Sequence, residues 1–138
     1  MTQYLESLQV GNSCLCESVP AGRIKYLGYG TFNIKKQESI GTKTELGFVA
    51  GGTGIAPCLA LIYACLHKND SVNLSLIFAN LTEEDIILKK EIDQLTKIYP
   101  KRFSVHYTVD KKSSGKWKGS VGHITQNMLA EHMPPPGF

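Results

Sequence analysis

Leu46-Gly47-Phe48-Val49-Ala50-Gly51-Gly52-Thr53-Gly54-Ile55-Ala56-Pro57 decides the fold. An apolar run breaks there into three glycines and a threonine, then reaches a proline that opens an apolar, helix-length segment. The order reads as a buried strand, a tight turn that lets a phosphate approach, and a helix N-terminus. Glycine reaches positive φ and has no Cβ to hold an anionic ligand away from the backbone amides. Pro57 suits a first helical turn, where its missing N–H leaves no bond unmade. The spacing is Gly52-x-Gly54-x-x-Pro57 rather than Gly-x-Gly-x-x-Gly, and no Gly-Lys-Ser/Thr follows to reach a γ-phosphate and magnesium. On spacing alone, a nucleotide site and a purely structural strand-to-helix turn stand level.

Downstream of this stretch the pattern is strand, helix, strand, helix, strand, helix, which predicts a parallel sheet with right-handed crossovers. Pro57 to His67 carries the first helix and Val72 to Ala79 the next strand. Leu88, Ile92, Leu95 and Tyr99 recur at helical spacing, so a helix is expected from about Glu83 to Tyr99. Arg102 to Val109 reads as a third strand, Lys111 to Val121 as a polar loop around Trp117, and Ile124 to Met133 as a last amphipathic helix. The fold class is α/β, a Rossmann-like parallel sheet with flanking helices, and the sequence stops where another strand is due.

Upstream the character differs. Thr2 to Leu8 reads as a short helix with Tyr4, Leu5 and Leu8 on one face and Gly11 as its stop. Short β-like pieces at Cys14 to Glu17, Arg23 to Leu27 and Thr31 to Ile34 are separated by Pro20, Gly22, Gly28 and Gly30, as in a β-meander. Three short strands are marginal alone, so residues 1–45, ending in a polar linker, read as the remnant of a β-domain ahead of an α/β domain at 46–138.

Composition narrows the class. The 138 residues are 42% hydrophobic and 20% charged, which suits one globular domain, or one plus a piece of another. The net charge of +3 is mild, and the lysines are spread out except for Lys111, Lys112, Lys116 and Lys118; this argues against a dedicated nucleic-acid binder. The opening does not resemble a signal peptide and no apolar run is long enough to span a bilayer, so a cytosolic or cytosol-facing compartment is expected. Cys14, Cys16, Cys58 and Cys65 show no Cys-x-x-Cys or Cys/His spacing; they read as reduced packing residues, and no metal is expected.

Several motifs taken together carry a resemblance. The quoted glycine stretch, Phe78-Ala-Asn-Leu-Thr-Glu-Glu-Asp-Ile-Ile-Leu88, and the opening Met1-Thr-Gln-Tyr-Leu-Glu-Ser-Leu8 resemble the NADH-cytochrome b5 reductase family, within the ferredoxin-NADP reductase superfamily. His106-Tyr-Thr-Val-Asp110, Trp117-Lys-Gly-Ser-Val-Gly122 and Glu131-His-Met-Pro-Pro-Pro136 continue the likeness in order. The resemblance implies a β-barrel flavin domain followed by a Rossmann-like NADH domain, with hydride passing from NADH to FAD and single electrons onward to cytochrome b5. It implies a cytosolic protein, on the cytosolic face of the endoplasmic reticulum or mitochondrial outer membrane where an anchor is present.

By the same resemblance, Met1 and Thr2 fall where the flavin diphosphate is held, and Thr53 at the nicotinamide–flavin junction. Gly51, Gly52 and Gly54 line the NADH side, with Ala56, Pro57 and Asn80 around them, and Asp85 falls where a carboxylate receives the adenosine ribose. Physical chemistry agrees on Asp85: a carboxylate accepts from a ribose 2′-OH and repels a 2′-phosphate, favouring NADH over NADPH. Without the resemblance, Thr82-Glu83-Glu84-Asp85 reads as a helix cap with acidic residues in its first turn. Tyr107 reads as filling a strand face, Trp117 as covering its loop, and His67 and His132, near helix ends, as having a solvent-facing or dipole-related role rather than a catalytic one.

The departures from the family pattern set a further expectation. The Arg-x-Tyr-Thr/Ser flavin motif and the Cys-Gly-Pro-Pro-Pro segment are not in the sequence, Ala56 stands where Thr is common, and Val19-Pro-Ala-Gly22 replaces Gly-Pro-x-Gly. A chain of this extent is expected to bind FAD weakly and turn over poorly, and to expose a sheet edge that invites a second copy. Two alternatives to a cytochrome b5 reductase stand beside it: a reductase module with another acceptor, as in nitrate reductase, and a non-catalytic nucleotide-binding fragment.

Overall fold

The computed structural model describes residues 2–15, 24–34, 42–67, 71–111 and 115–135. The elements in chain order are α1 (Thr2–Glu6), β1 (Ile24–Gly28), β2 (Thr31–Ile34), β3 (Glu45–Gly51), a 3-10 turn (Gly52–Gly54), α2 (Ile55–His67), β4 (Asn73–Asn80), α3 (Lys89–Ile98), β5 (Phe103–Val109), β6 (Ser120–Val121) and α4 (Gln126–His132). The expected α/β alternation is present. Four parallel strands lie in the order β3-β4-β5-β6, with α2 crossing from β3 to β4, α3 from β4 to β5, and a loop leading from β5 to β6.

β4 is the middle of the sheet. Its alternation sends Leu74, Leu76 and Phe78 into one core with Leu59, Ile62 and Leu66 of α2 and Ile92 and Leu95 of α3. The opposite face carries Ser75, Ile77 and Ala79 and is covered by α4. β3 is not the buried strand expected from its apolar run. It pairs with β4 alone among the described residues, so its residues alternate in exposure and Val49 is 52% exposed.

The upstream segment forms a β1–β2 hairpin rather than a three-stranded meander. Cys14 and Leu15 are not in a strand, and residues 16–17 of that expected strand lie outside the described residues, as do Val19 to Gly22. The hairpin turn needs positive φ at Gly28, Tyr29 and Gly30. Phe32, 7% exposed, joins the main core beside Tyr26, the two rings 5.0 Å apart, and β1 packs on α2. Lys43 N–H donates to the Gly30 carbonyl, so the connection to β3 is tied back onto the hairpin turn. In α1, Tyr4 and Leu5 are exposed rather than forming a buried face.

Two elements begin elsewhere than expected. α2 starts at Ile55, two residues early, which still leaves Pro57 in the first turn. α3 starts at Lys89, not Glu83. Leu88 stands at φ 56°, a left-handed conformation that cannot continue a helix, and residues 81–88 form a turning loop. The expected loop from Lys111 also contains the two-residue β6. Trp117 covers this loop as expected: its indole N–H donates to the Ser120 carbonyl and its ring lies over Gly119.

Side chains lock the layers. Arg102 Nη2 donates to the Cys65 carbonyl at the end of α2, at 3.1 Å, and so fastens α2 to the start of β5. Tyr107 Oη donates to Asp93 at 2.8 Å while Lys89 pairs with the other carboxylate oxygen at 2.8 Å. Burial, and then Asp93 beside it, push the Tyr107 phenol well above its usual range, so it remains a donor. Tyr107 thus does more than fill a strand face: it bolts α3 to β5.

Candidate functional site

Parallel α/β sheets bind ligands in the crevice beyond the carboxyl ends of their strands. Here that end is built by Gly51, the Gly52–Gly54 turn, Asn80 and the loops after β4 and β5. The 3-10 turn packs against β3, β4 and α2, and Ile55 N–H donates back to the Gly52 and Thr53 carbonyls. Gly52 needs its glycine for a φ of 50°, while a Cβ built on Gly52 or Gly54 would meet nothing within 4 Å. These glycines are therefore not demanded by packing; they leave open space directly before the N-terminus of a thirteen-residue helix. The helix dipole favours an anion there.

The sequence-expected residues fall in four places. Gly51, Gly52, Thr53, Gly54, Ala56 and Pro57 are contiguous around the turn, with Thr53, Gly54, Ala56 and Pro57 exposed. Asn80 ends the adjacent strand, in the register where Gly51 pairs with Ala79. It is 7% exposed, and both its amide oxygen and nitrogen lack a hydrogen-bond partner. Such a buried amide is rare at an ordinary structural position. Asp85 lies in the 81–88 loop after β4. Thr2 opens α1, which is not among the elements packed on the turn, and Met1 lies outside the described residues.

Asp85 is not in a helical first turn, so the capping account of Thr82 to Asp85 is corrected. The bonds run the other way: Asp85 Oδ2 accepts from the Thr82 N–H at 3.0 Å and the Thr82 hydroxyl at 2.7 Å. This closes the loop and leaves Asp85 Oδ1 without a partner among the described residues.

Sheet order reveals a second carboxylate that spacing did not single out. Asp110 follows the last residue of β5, and its N–H donates to the Asn80 carbonyl, so the ends of β4 and β5 stand side by side. Its carboxylate lies 3.4 Å from His123 Nδ1. Lys111 N–H donates to the Leu81 carbonyl, and the Thr108 hydroxyl donates to the Gly122 carbonyl at 2.7 Å, drawing both loops along the same edge. The strand-end position of Asp110 was readable; which strand end it would neighbour was not.

Among the described residues no protein nucleophile takes shape at this edge. Burial pushes the thiols of Cys58 and Cys65 up, in Cys65 against the opposing pull of Arg102, so both are protonated packing groups at neutral pH.

A profile of the family described as the oxidoreductase NAD-binding domain matches residues 48–137. The chain is 43% identical to NADH-cytochrome b5 reductase 2 of Rattus norvegicus, over 99% of this chain and 51% of the relative. It is 40% identical to an NADH nitrate reductase of Volvox carteri, over 96% of this chain and 15% of the relative. Among solved structures, the cytochrome b5 reductase domain of Ulva prolifera nitrate reductase aligns at a TM-score of 0.83 and 33% identity, covering 96% of this chain and 49% of that one. The chain spans about half the length of the cytochrome b5 reductases it matches.

Proposed function

Because the chain belongs to the oxidoreductase NAD-binding domain family, we propose that it seats NADH in a flavin-dependent reductase that passes electrons to a haem protein of the cytochrome b5 kind. The observation that carries this reading is the open cradle before Gly52 and Gly54 at the N-terminus of α2. It fits a pyrophosphate, which needs backbone amides approached closely and no side chain in the way. The unpartnered amide of Asn80 beside it is consistent with a nucleotide-binding edge.

NADH when bound supplies a hydride, and FAD accepts it and releases electrons singly. The protein's part is to bind, orient and discriminate. The glycine turn and the first amides of α2 hold the diphosphate, and Thr53, exposed at the tip, offers a hydroxyl where the reactive ring is directed. Asp85 and Asp110 place carboxylates at the far side of the edge, where either accepts from a ribose hydroxyl and opposes a 2′-phosphate. The resemblance assigns the flavin diphosphate to Met1 and Thr2, ahead of the sheet.

Calorimetric titration with NADH and NADPH, then with FAD added in a second series, tests this. NADH is expected to bind more tightly, and Asp85→Ala or Asp110→Ala to narrow the gap by about tenfold for whichever carboxylate holds the ribose. If neither nucleotide binds, the nucleotide-site reading fails. Binding of NADH without oxidation in the presence of FAD and acceptor favours a non-catalytic module instead.

The acceptor is the point on which a second reading rests, since relatives include nitrate reductases as well as cytochrome b5 reductases. Lys111, Lys116 and Lys118 share the loop after β5, whose remaining lysine, Lys112, lies outside the described residues. This loop suits an acidic haem-protein face. Reversing these charges is expected to lower the rate with cytochrome b5 several-fold, more at low salt, and to leave a small dye acceptor unaffected. Equal loss with both acceptors would rule out a docking role.

A further inference from the structure

On the sheet face opposite α2 and α3, His106 of β5 and His132 at the end of α4 lie ring on ring. Their centroids are 3.7 Å apart and the planes are within 14° of parallel. His106 Nε2 is 2.9 Å from Ser120 Oγ, so the same imidazole also ties β5 to β6. The stack is one wall of a cleft of about 320 Å³ lined by residues of β3, β4, β5 and the end of α4.

α4 has little else to hold it. It is seven residues long and none of them is fully buried. Beyond the stack, its hold on the sheet comes from its packing on β4 and from Met133 and Pro134, which cross over Gly47 so closely that a Cβ there would meet the Met133 sulfur at 2.6 Å.

We propose that the stacked His106 and His132 rings form an acid-released clasp, closed while at least one ring is neutral and opened when both carry a proton. A first proton is tolerated. His132 Nε2 has the Glu131 carboxylate 3.9 Å away, and a protonated His106 still donates to Ser120 Oγ. The second proton places two cations face to face, and nothing between them disperses the charge.

Of the charged groups facing this cleft, Glu131 on α4 and Glu45 on β3 work against opening, while Asn73, Ser75, Ser104 and Ser120 are neutral. Glu131 is 75% exposed and its attraction is largely screened. His123, on the chain leading into α4, pairs with Asp110 at the other end of the sheet. Burial, then His132, hold His106 below the ordinary histidine value, with Glu131 opposing. A histidine depressed in the folded state contributes stability that is fully present above its unfolded value near 6.5 and is lost as pH falls toward its folded value. The His106–Ser120 contact joins β5 to β6 and a protonated His106 keeps it, so opening is confined to α4.

Native-state hydrogen exchange of the α4 amides from pH 7.5 to 5.0, corrected for intrinsic chemical rates, tests the clasp on the full chain. Below about pH 6.5, α4 opening is expected to rise by up to about tenfold per pH unit, the limit for one proton taken up on opening. In His106→Phe and, separately, His132→Phe, a ring remains to stack but the pair cannot become doubly charged, and the rise is expected to vanish. The lost Ser120 bond in His106→Phe loosens β6 equally at every pH and leaves the α4 slope readable. A wild-type profile that stays flat, or a rise that persists in either variant, overturns the proposal.

Discussion

Gly54→Val is expected to leave the fold close to its present stability while weakening NADH binding by about a hundredfold, a loss of roughly 2–3 kcal/mol. The two halves of this expectation come from the same observation. A Cβ on Gly54 points into open space, so no neighbour must move, and the residue does not require positive φ. The folding cost is confined to a β-branched residue at a helix start, under about 1 kcal/mol. A diphosphate drawn onto the turn's amides, by contrast, meets the valine methyls in its own place. Titration calorimetry and thermal unfolding on the same preparation separate the two effects. Unchanged affinity would make the turn a structural connection and nothing more.

Gly30→Ala is expected to do the reverse, costing about 3 kcal/mol of stability with nucleotide affinity of the folded fraction preserved. Gly30 stands at φ +71°, which alanine adopts only with strain, and the added methyl would meet the backbone carbonyl oxygen of Lys43. That oxygen cannot swing aside cheaply, because the Lys43 N–H on the same residue is bonded to Gly30. Displacing the turn pulls on β2 and on Phe32, which is buried in the main core. A loss of unfolding free energy in denaturant titration of less than about a quarter of this size would show that the hairpin is only loosely fixed to the sheet. The two glycines thus separate conformational demand from ligand demand.

Much of this was legible in the sequence, for reasons that can be named. β4 carries an apolar run between two asparagines and β5 is dense in β-branched and aromatic residues, and both appear within a residue of where they are expected. The glycine turn and the proline after it were equally plain, because their chemistry is local. What was not legible depended on partners distant in the chain. Thr82 to Asp85 has the composition of a helix cap, yet the carboxylate turns back onto Thr82 and the left-handed Leu88 holds the helix off until Lys89. Val49 and Leu76 belong to equally apolar runs; one is exposed and the other buried because, among the described residues, β4 has a strand on each side and β3 on one alone. Asp110 became a candidate only once the sheet order set it beside Asn80.

The central position of β4 has a bearing on how the chain reaches this structure. Each of its ladders, to β3 and to β5, is parallel and closes only across an intervening helix. No tight hairpin can bring either pair together, so chain entropy is lost before any ladder bond is gained. A late transition state is expected, with α2 already laid across β3 and β4, and refolding slower than in helical proteins of the same length. Until that point both flanks of β4, whose Leu74-Ser-Leu-Ile-Phe core carries no charge, stand open to neighbouring chains. The segment that best organises the finished molecule is thereby the one most exposed to aggregation on the way to it.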